Sequence, residues 1–216
     1  MKNFLMIAVE TGCGMLILAT GLSAADNQAV APTPDAAAEA NYVRAIEGRT
    51  SGILKALDLS DTNQAAKIHD IIIAQYRALR DWHDANDAKL KAAKGDTNAA
   101  AQIRASLKSL HDEFLAKLSA SLTPAQVDTV KDKMTYGKVQ FTYNGYLASY
   151  PNLTEENKLK ILDLLKAARE EAMDGGSAAE KTAVFQRYKG KINNYLSKQG
   201  LHPAKEKPAA KPSVSE

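Results

Sequence analysis

The large apolar residues of this chain return every three or four positions: Ile68, Ile72, Tyr76, Leu79 and Trp82 in one segment, then Ile103, Leu107, Leu110, Phe114 and Leu118 in the next. Only a helix places residues at that spacing on one face, so each segment carries an apolar stripe that must be buried against a partner. Between them, "AAKGDTNAA" offers Gly95 for a left-handed turn and Asp96 or Thr97 to cap the second helix. Two long helices in an antiparallel hairpin are expected.

Other helix starts are equally explicit. In "LTPAQ", Thr123 stands before Pro124 and three residues before Gln126, which is the pattern of an N-cap, an N1 proline and a capping-box glutamine. Ser177 precedes Glu180 by three, directly after Gly175 and Gly176, so one helix should stop and another begin there. The helix from Thr154 is expected to bury Leu159, Leu162, Leu165 and Ala168, and the last helix Phe185, Tyr188, Ile192 and Leu196. With an earlier helix over Ala37 to Leu57 this gives an all-α bundle of about six helices. No run alternates as a strand would.

The N-terminal segment reads differently. Lys2 is followed by the apolar run "FLMIAVETGCGMLILATGL" and then by "SAA", the pattern of a secretory signal peptide over residues 1–25. A periplasmic or secreted location is therefore expected, with no membrane span after cleavage. Residues 26–36 and 201–216, rich in Ala and Pro, read as a disordered linker and tail around a helical domain over 37–200. The single cysteine, Cys13, lies in the signal segment, so disulfides, cysteine-ligated metals and a cysteine nucleophile are excluded from the mature chain. Charge excludes another class. The 28 Lys and Arg against 25 Asp and Glu are interspersed, without the basic patch of a nucleic-acid binder.

Catalytic signatures are missing from the sequence, and no cofactor is expected. His69, His83 and His111 are each followed by Asp, but neighbouring helix residues point about 100° apart, so these dipeptides should not aim both groups at one site. They read as helix-surface histidines. His83 and Asp87 share a face at i, i+4, yet two groups fall short of a zinc site and no metal is expected. The carboxylate pairs Glu155/Glu156 and Glu170/Glu171 sit at helix ends, one facing a helix dipole and the other solvated. Gly190 lies inside a helical pattern, where glycine costs roughly 1 kcal/mol, so a close neighbour is expected against it.

The remaining candidate is "MTYGKVQFTYNGYLASYPNL", an insertion holding Tyr136, Tyr143, Tyr146 and Tyr150, four of the eight tyrosines. A short helix would line up the last three. They either plug one end of the bundle or form a platform, with at least two buried and Tyr136 and the remaining ring as a rim. A tyrosine face matches the apolar face of a sugar. Asn144, Asn152, Arg187, Lys189, Asn193 and Asn194 would supply directed hydrogen bonds, and Trp82 with His83 would join from the hairpin.

Two resemblances bear on function. "LTPAQ", echoed weakly by "LSDTNQ" and "LTEEN", resembles the L-T-x-x-Q motifs of Spy/CpxP-like periplasmic proteins, which implies an ATP-independent chaperone or stress protein, acting as a homodimer. Across most of the mature chain, "IIIAQYRALRDWHDA", "FLAKLSASLTPAQVDTVKDKMTYG", "YPNLTEENKLKIL" and "RYKGKINNYLSKQG" resemble the exported bacterial family called domain of unknown function 3826. That family is described at most as sugar-binding, with no assigned reaction. The resemblance implies a non-catalytic carbohydrate-binding accessory protein of the cell envelope, whose partner is a poly- or oligosaccharide.

Overall fold

A computed structural model describes residues 34–204, which form seven helices and, among the described residues, no strand. The helices are α1 (Pro34–Leu57), α2 (Thr62–Ala92), α3 (Thr97–Ser119), α4 (Pro124–Met134), α5 (Lys138–Ser149), α6 (Glu155–Met173) and α7 (Ala178–Lys198). The bundle has one helix more than the expected six because the tyrosine-rich insertion is itself helical, as α5. The signal segment with Cys13, most of the linker and the tail from residue 205 lie outside the described residues. α1 begins at Pro34 rather than near Ala37, proline fitting the first turn of a helix. No helix among the described residues is long and apolar enough to cross a membrane.

The helix starts follow from capping. Asp61 and Asp96 open α2 and α3, each accepting from two backbone amides, and Gly95 takes φ +102° in the turn before α3. At α4 the Gln126 amide donates to the Thr123 hydroxyl at 3.3 Å while the Thr123 amide donates to the Gln126 side chain at 3.0 Å. Thr154 and Ser177 cap α6 and α7 with the hydroxyl half of this pattern alone, accepting from the Asn157 and Glu180 amides. α5 alone among the last four helices has no side-chain cap. Its start is set instead by two consecutive left-handed residues, Tyr136 at φ 60° and Gly137 at φ 63°.

Packing divides the interior into two cores. One joins α1 to α4 through Ile46, Ile53, Ile68, Ile72, Phe114, Leu118 and Val130, and the other joins α5, α6 and α7 through Val139, Tyr146, Ile161, Leu165, Phe185, Ile192 and Leu196. α6 serves both, since Met173 belongs to the first core and Ala168 and Ala172 to the second. Its buried stripe is Ile161, Leu165, Ala168 and Ala172, which corrects the expected one: Leu159 is 62% exposed. The reason is angular. Two successive steps of three separate Leu159 from Leu165 by about 120°, whereas steps of four, three and four keep a stripe aligned.

Charges lock α6 to α4. Arg169, only 4% exposed, donates to Asp132 at 2.8 Å and to Asp128 at 2.7 Å, and Lys131 donates to Glu170 at 2.8 Å. Buried charge of this kind is tolerated only when it is paired. Past the α6–α7 turn, Lys181 is buried with its ammonium on the Met173 carbonyl at 3.0 Å, and burial lowers its pKa to about 8. α3 shows the opposite situation at its start. Phe114 and Leu118 are buried, but Ile103, Leu107 and Leu110 are only half covered, and Leu107 lines a cleft.

Candidate functional site

The candidate residues gather in three clefts rather than one. Tyr146, Tyr150, Lys189 and Asn193 line a cleft of about 500 Å³ between α5 and α7, together with Asn144, and this is the largest grouping of them. Trp82, His83 and Arg187 line a cleft of about 800 Å³ where α2 and α3 meet α6 and α7. Tyr136, 47% exposed, borders a hollow of about 210 Å³ beside Lys181. Tyr143 is half-buried against the second core, and Asn152 and Asn194 are exposed and line none of these clefts.

The α5–α7 cleft is built from the aromatic insertion. Tyr146 is the one buried ring of Tyr143, Tyr146 and Tyr150, not one of at least two, because successive steps of three and four leave the outer two at the edges of the stripe. Its hydroxyl donates to Asn193 Oδ1 at 2.8 Å, with the Lys189 carbonyl a second acceptor at 3.2 Å. Burial, reinforced by Tyr150, pushes its pKa up to about 12, so it remains a donor. Tyr150 stacks on it at 5.9 Å between centroids and 30° between planes. Gly145 meets nothing where a Cβ would stand, and Phe141 is 79% exposed at the rim. Beyond α7 the chain returns: the Ala204 amide donates to the Ser149 carbonyl at 2.8 Å and sets Pro203 on the cleft's edge. Lys189 has no carboxylate partner among the described residues. Gly190 corrects an expectation, since a Cβ there would also meet nothing within 4 Å. Nothing in the packing explains that glycine.

The larger cleft holds two histidines that are mostly buried, not the surface groups expected. His83 Nε2 donates to the Asp174 carbonyl at 2.7 Å, and its Nδ1 lies 2.9 Å from Asp87 Oδ1 and 3.9 Å from Glu180 Oε2. Burial pulls its pKa down, but the Asp174 carbonyl and the Asp87 carboxylate outweigh this and the net shift is upward. His111 Nδ1 contacts Asp174 Oδ1 at 2.9 Å, and that carboxylate raises the pKa of His111 against the opposing effect of burial. Trp82 donates through Nε1 to Ser106 Oγ at 2.8 Å and meets the His83 ring edge-on at 5.1 Å.

The histidine–aspartate dipeptides are also corrected. His69 does reach its neighbour, with Nδ1 at 3.0 Å from Asp70 and Nε2 at 2.8 Å from Glu47 on α1. At 83 and 111 the partners are Asp87 and Asp174 instead. The carboxylate pairs face cations, with Glu155 on Lys158, Glu170 on Lys131 and Arg169, and Glu171 on Arg187. Asp174 and Glu180 were not among the sequence candidates, and His111 was read only as a surface histidine. The visible signal for them was the Gly175–Gly176 break, which folds the start of α7 back onto α2.

No curated protein matches this chain. The model of one family, described as "Protein of unknown function (DUF3826)", matches residues 43–211, from within α1 to beyond the end of α7. This chain belongs to that family.

Proposed function

We propose that this protein is an exported, non-catalytic carbohydrate-binding protein of the cell envelope, working beside polysaccharide-degrading enzymes, and that the α5–α7 cleft holds the sugar. The observation that carries this reading is the convergence of an aromatic rim, exposed Phe141 and half-buried Tyr150, with the amides of Asn144 and Asn193 and the ammonium of Lys189 around one open cleft. Apolar faces with a few directed polar groups are what a pyranose ring requires. The unpaired lysine favours acidic sugars, whose carboxylate it would neutralise. A chaperone would need a contiguous apolar surface. Among the described residues the large hydrophobics left exposed are Tyr136 in the α4–α5 turn, Phe141 on α5 and Leu159 on α6.

Calorimetry with a panel of neutral and acidic plant-polysaccharide fragments tests the reading. Acidic fragments should bind and shift tyrosine resonances, while Trp82, which lines the other cleft, stays silent. Tyr150→Ala or Asn193→Ala should weaken binding about tenfold, the loss of one stacking or hydrogen-bonding partner, without loss of helicity. A flat response across the whole panel would rule the reading out.

A further inference from the structure

The larger cleft brings together three groups of metal-ligand type. His83 and Asp87 stand one turn apart on α2, and Glu180 arrives from the first turn of α7. Their ligand atoms all lie within 4.8 Å of one another. The orientation of the ring is fixed from behind. A carbonyl oxygen only accepts, so His83 Nε2, at 2.7 Å from the Asp174 carbonyl, carries the ring hydrogen and Nδ1 faces the two carboxylates. Histidines that bind metal usually have their second nitrogen held in this way. The turn also clamps the ring: a Cβ on Gly176 would come within 2.8 Å of His83 ring carbons, so only glycine lets the backbone press so close.

Nδ1 therefore meets acceptors alone. Asp87 Oδ1 is at 2.9 Å and Glu180 Oε2 at 3.9 Å, and although the latter accepts from the Gly176 amide at 2.8 Å, its remaining lone pair is free for a cation shared among the three. A second ring proton would serve Asp87 but not Glu180, which is beyond hydrogen-bond range. A metal ion would serve both. Donors around a tetrahedral ion with bonds of about 2.0–2.2 Å are roughly 3.4 Å apart, and the observed separations bracket that value. Six carboxylates against three lysines or arginines line the cleft, so its field favours a cation.

We propose that His83, Asp87 and Glu180 bind a divalent transition-metal ion of the zinc type, with its remaining coordination positions open to the cleft. One imidazole nitrogen with two carboxylate oxygens suits zinc and its neighbours better than the all-oxygen sites of calcium or magnesium. The site stands apart from the sugar cleft and does not depend on it.

Trp82 is the only tryptophan in the chain and lies against His83, so its emission reports on this site alone. Calorimetry of the purified chain with zinc at neutral pH should give one ion per chain, and nickel, a quenching ion, should reduce Trp82 emission with the same stoichiometry. Asp87→Asn and Glu180→Gln, both at half-exposed positions, should each weaken binding by about 10-fold or more while leaving helicity intact. His111→Gln should leave it unchanged. No heat and no quenching at millimolar ion would overturn the proposal and leave an imidazolium as the shared cation. Undiminished binding in both carboxylate variants, or loss of binding in His111→Gln, would overturn it equally.

Discussion

His111 shows how much a single side chain can decide at the seam between the two cores. Its pKa is raised chiefly by the Asp174 carboxylate, with Glu170 adding to the effect and burial and Lys131 opposing it. A histidine with a folded pKa above its unfolded value stabilises most when protonated. The contribution is complete below the ordinary value near 6.5 and is lost as pH rises through the raised folded value. In metal-free buffer the urea midpoint should therefore fall as pH rises above about 6.5, and His111→Gln should make that slope shallower without abolishing it, since His69 and His83 are shifted upward too. An unchanged slope in the variant would remove His111 from the account. Nothing adjacent in sequence announces this pairing, since Asp174 lies in the turn after α6. The neighbouring Asp112 pairs with Lys108 instead.

Among the elements, α5 best separates the legible from the illegible. α3, α4, α6 and α7 are announced by Asp96, Thr123, Thr154 and Ser177, because a capping side chain acts within three residues of itself. α5 has no such cap, and its apolar residues do not gather on one face: Val139 and Tyr146 are buried while Phe141 is exposed. Its start depends on the left-handed pair at 136 and 137, and a left-handed tyrosine costs roughly 1–2 kcal/mol relative to its right-handed form. Tyr136→Gly should accordingly raise the unfolding free energy by about 1 kcal/mol despite removing a large side chain, because that ring is half exposed. Gly137→Ala should lower it by a similar amount. Chemical denaturation of the two variants, read side by side, checks the sign of each. The α6 stripe teaches a related lesson: leucine spacing suggested Leu159, but geometry selects Ile161.

At the scale of the molecule, one turn controls three elements. Residues 174–177 end α6, cap α7 and press on α2, and the contact on α2 is made where Gly176 faces the His83 ring. Gly176→Ala should cost about 1–3 kcal/mol, as overpacking does, and should shift Trp82 emission because the ring beside it must move. A stable variant with unaltered emission would show that the turn is free to retreat. The bundle class was readable from periodicity alone, since that signal is local. The clefts were not, because they depend on which helix ends meet, and the candidates accordingly divide among three places.

The bond from Ala204 to Ser149 makes one lip of the α5–α7 cleft out of residues that belong to no helix. That lip is held by Leu201, packed against the second core and bonded back to the Leu196 carbonyl, and reaches α5 through the Ala204 bond, a net contribution of about 1 kcal/mol. Its shape can therefore diverge between related chains through two or three substitutions that leave every helix contact alone. The outline of the cleft and the robustness of the scaffold are, in this architecture, separately adjustable.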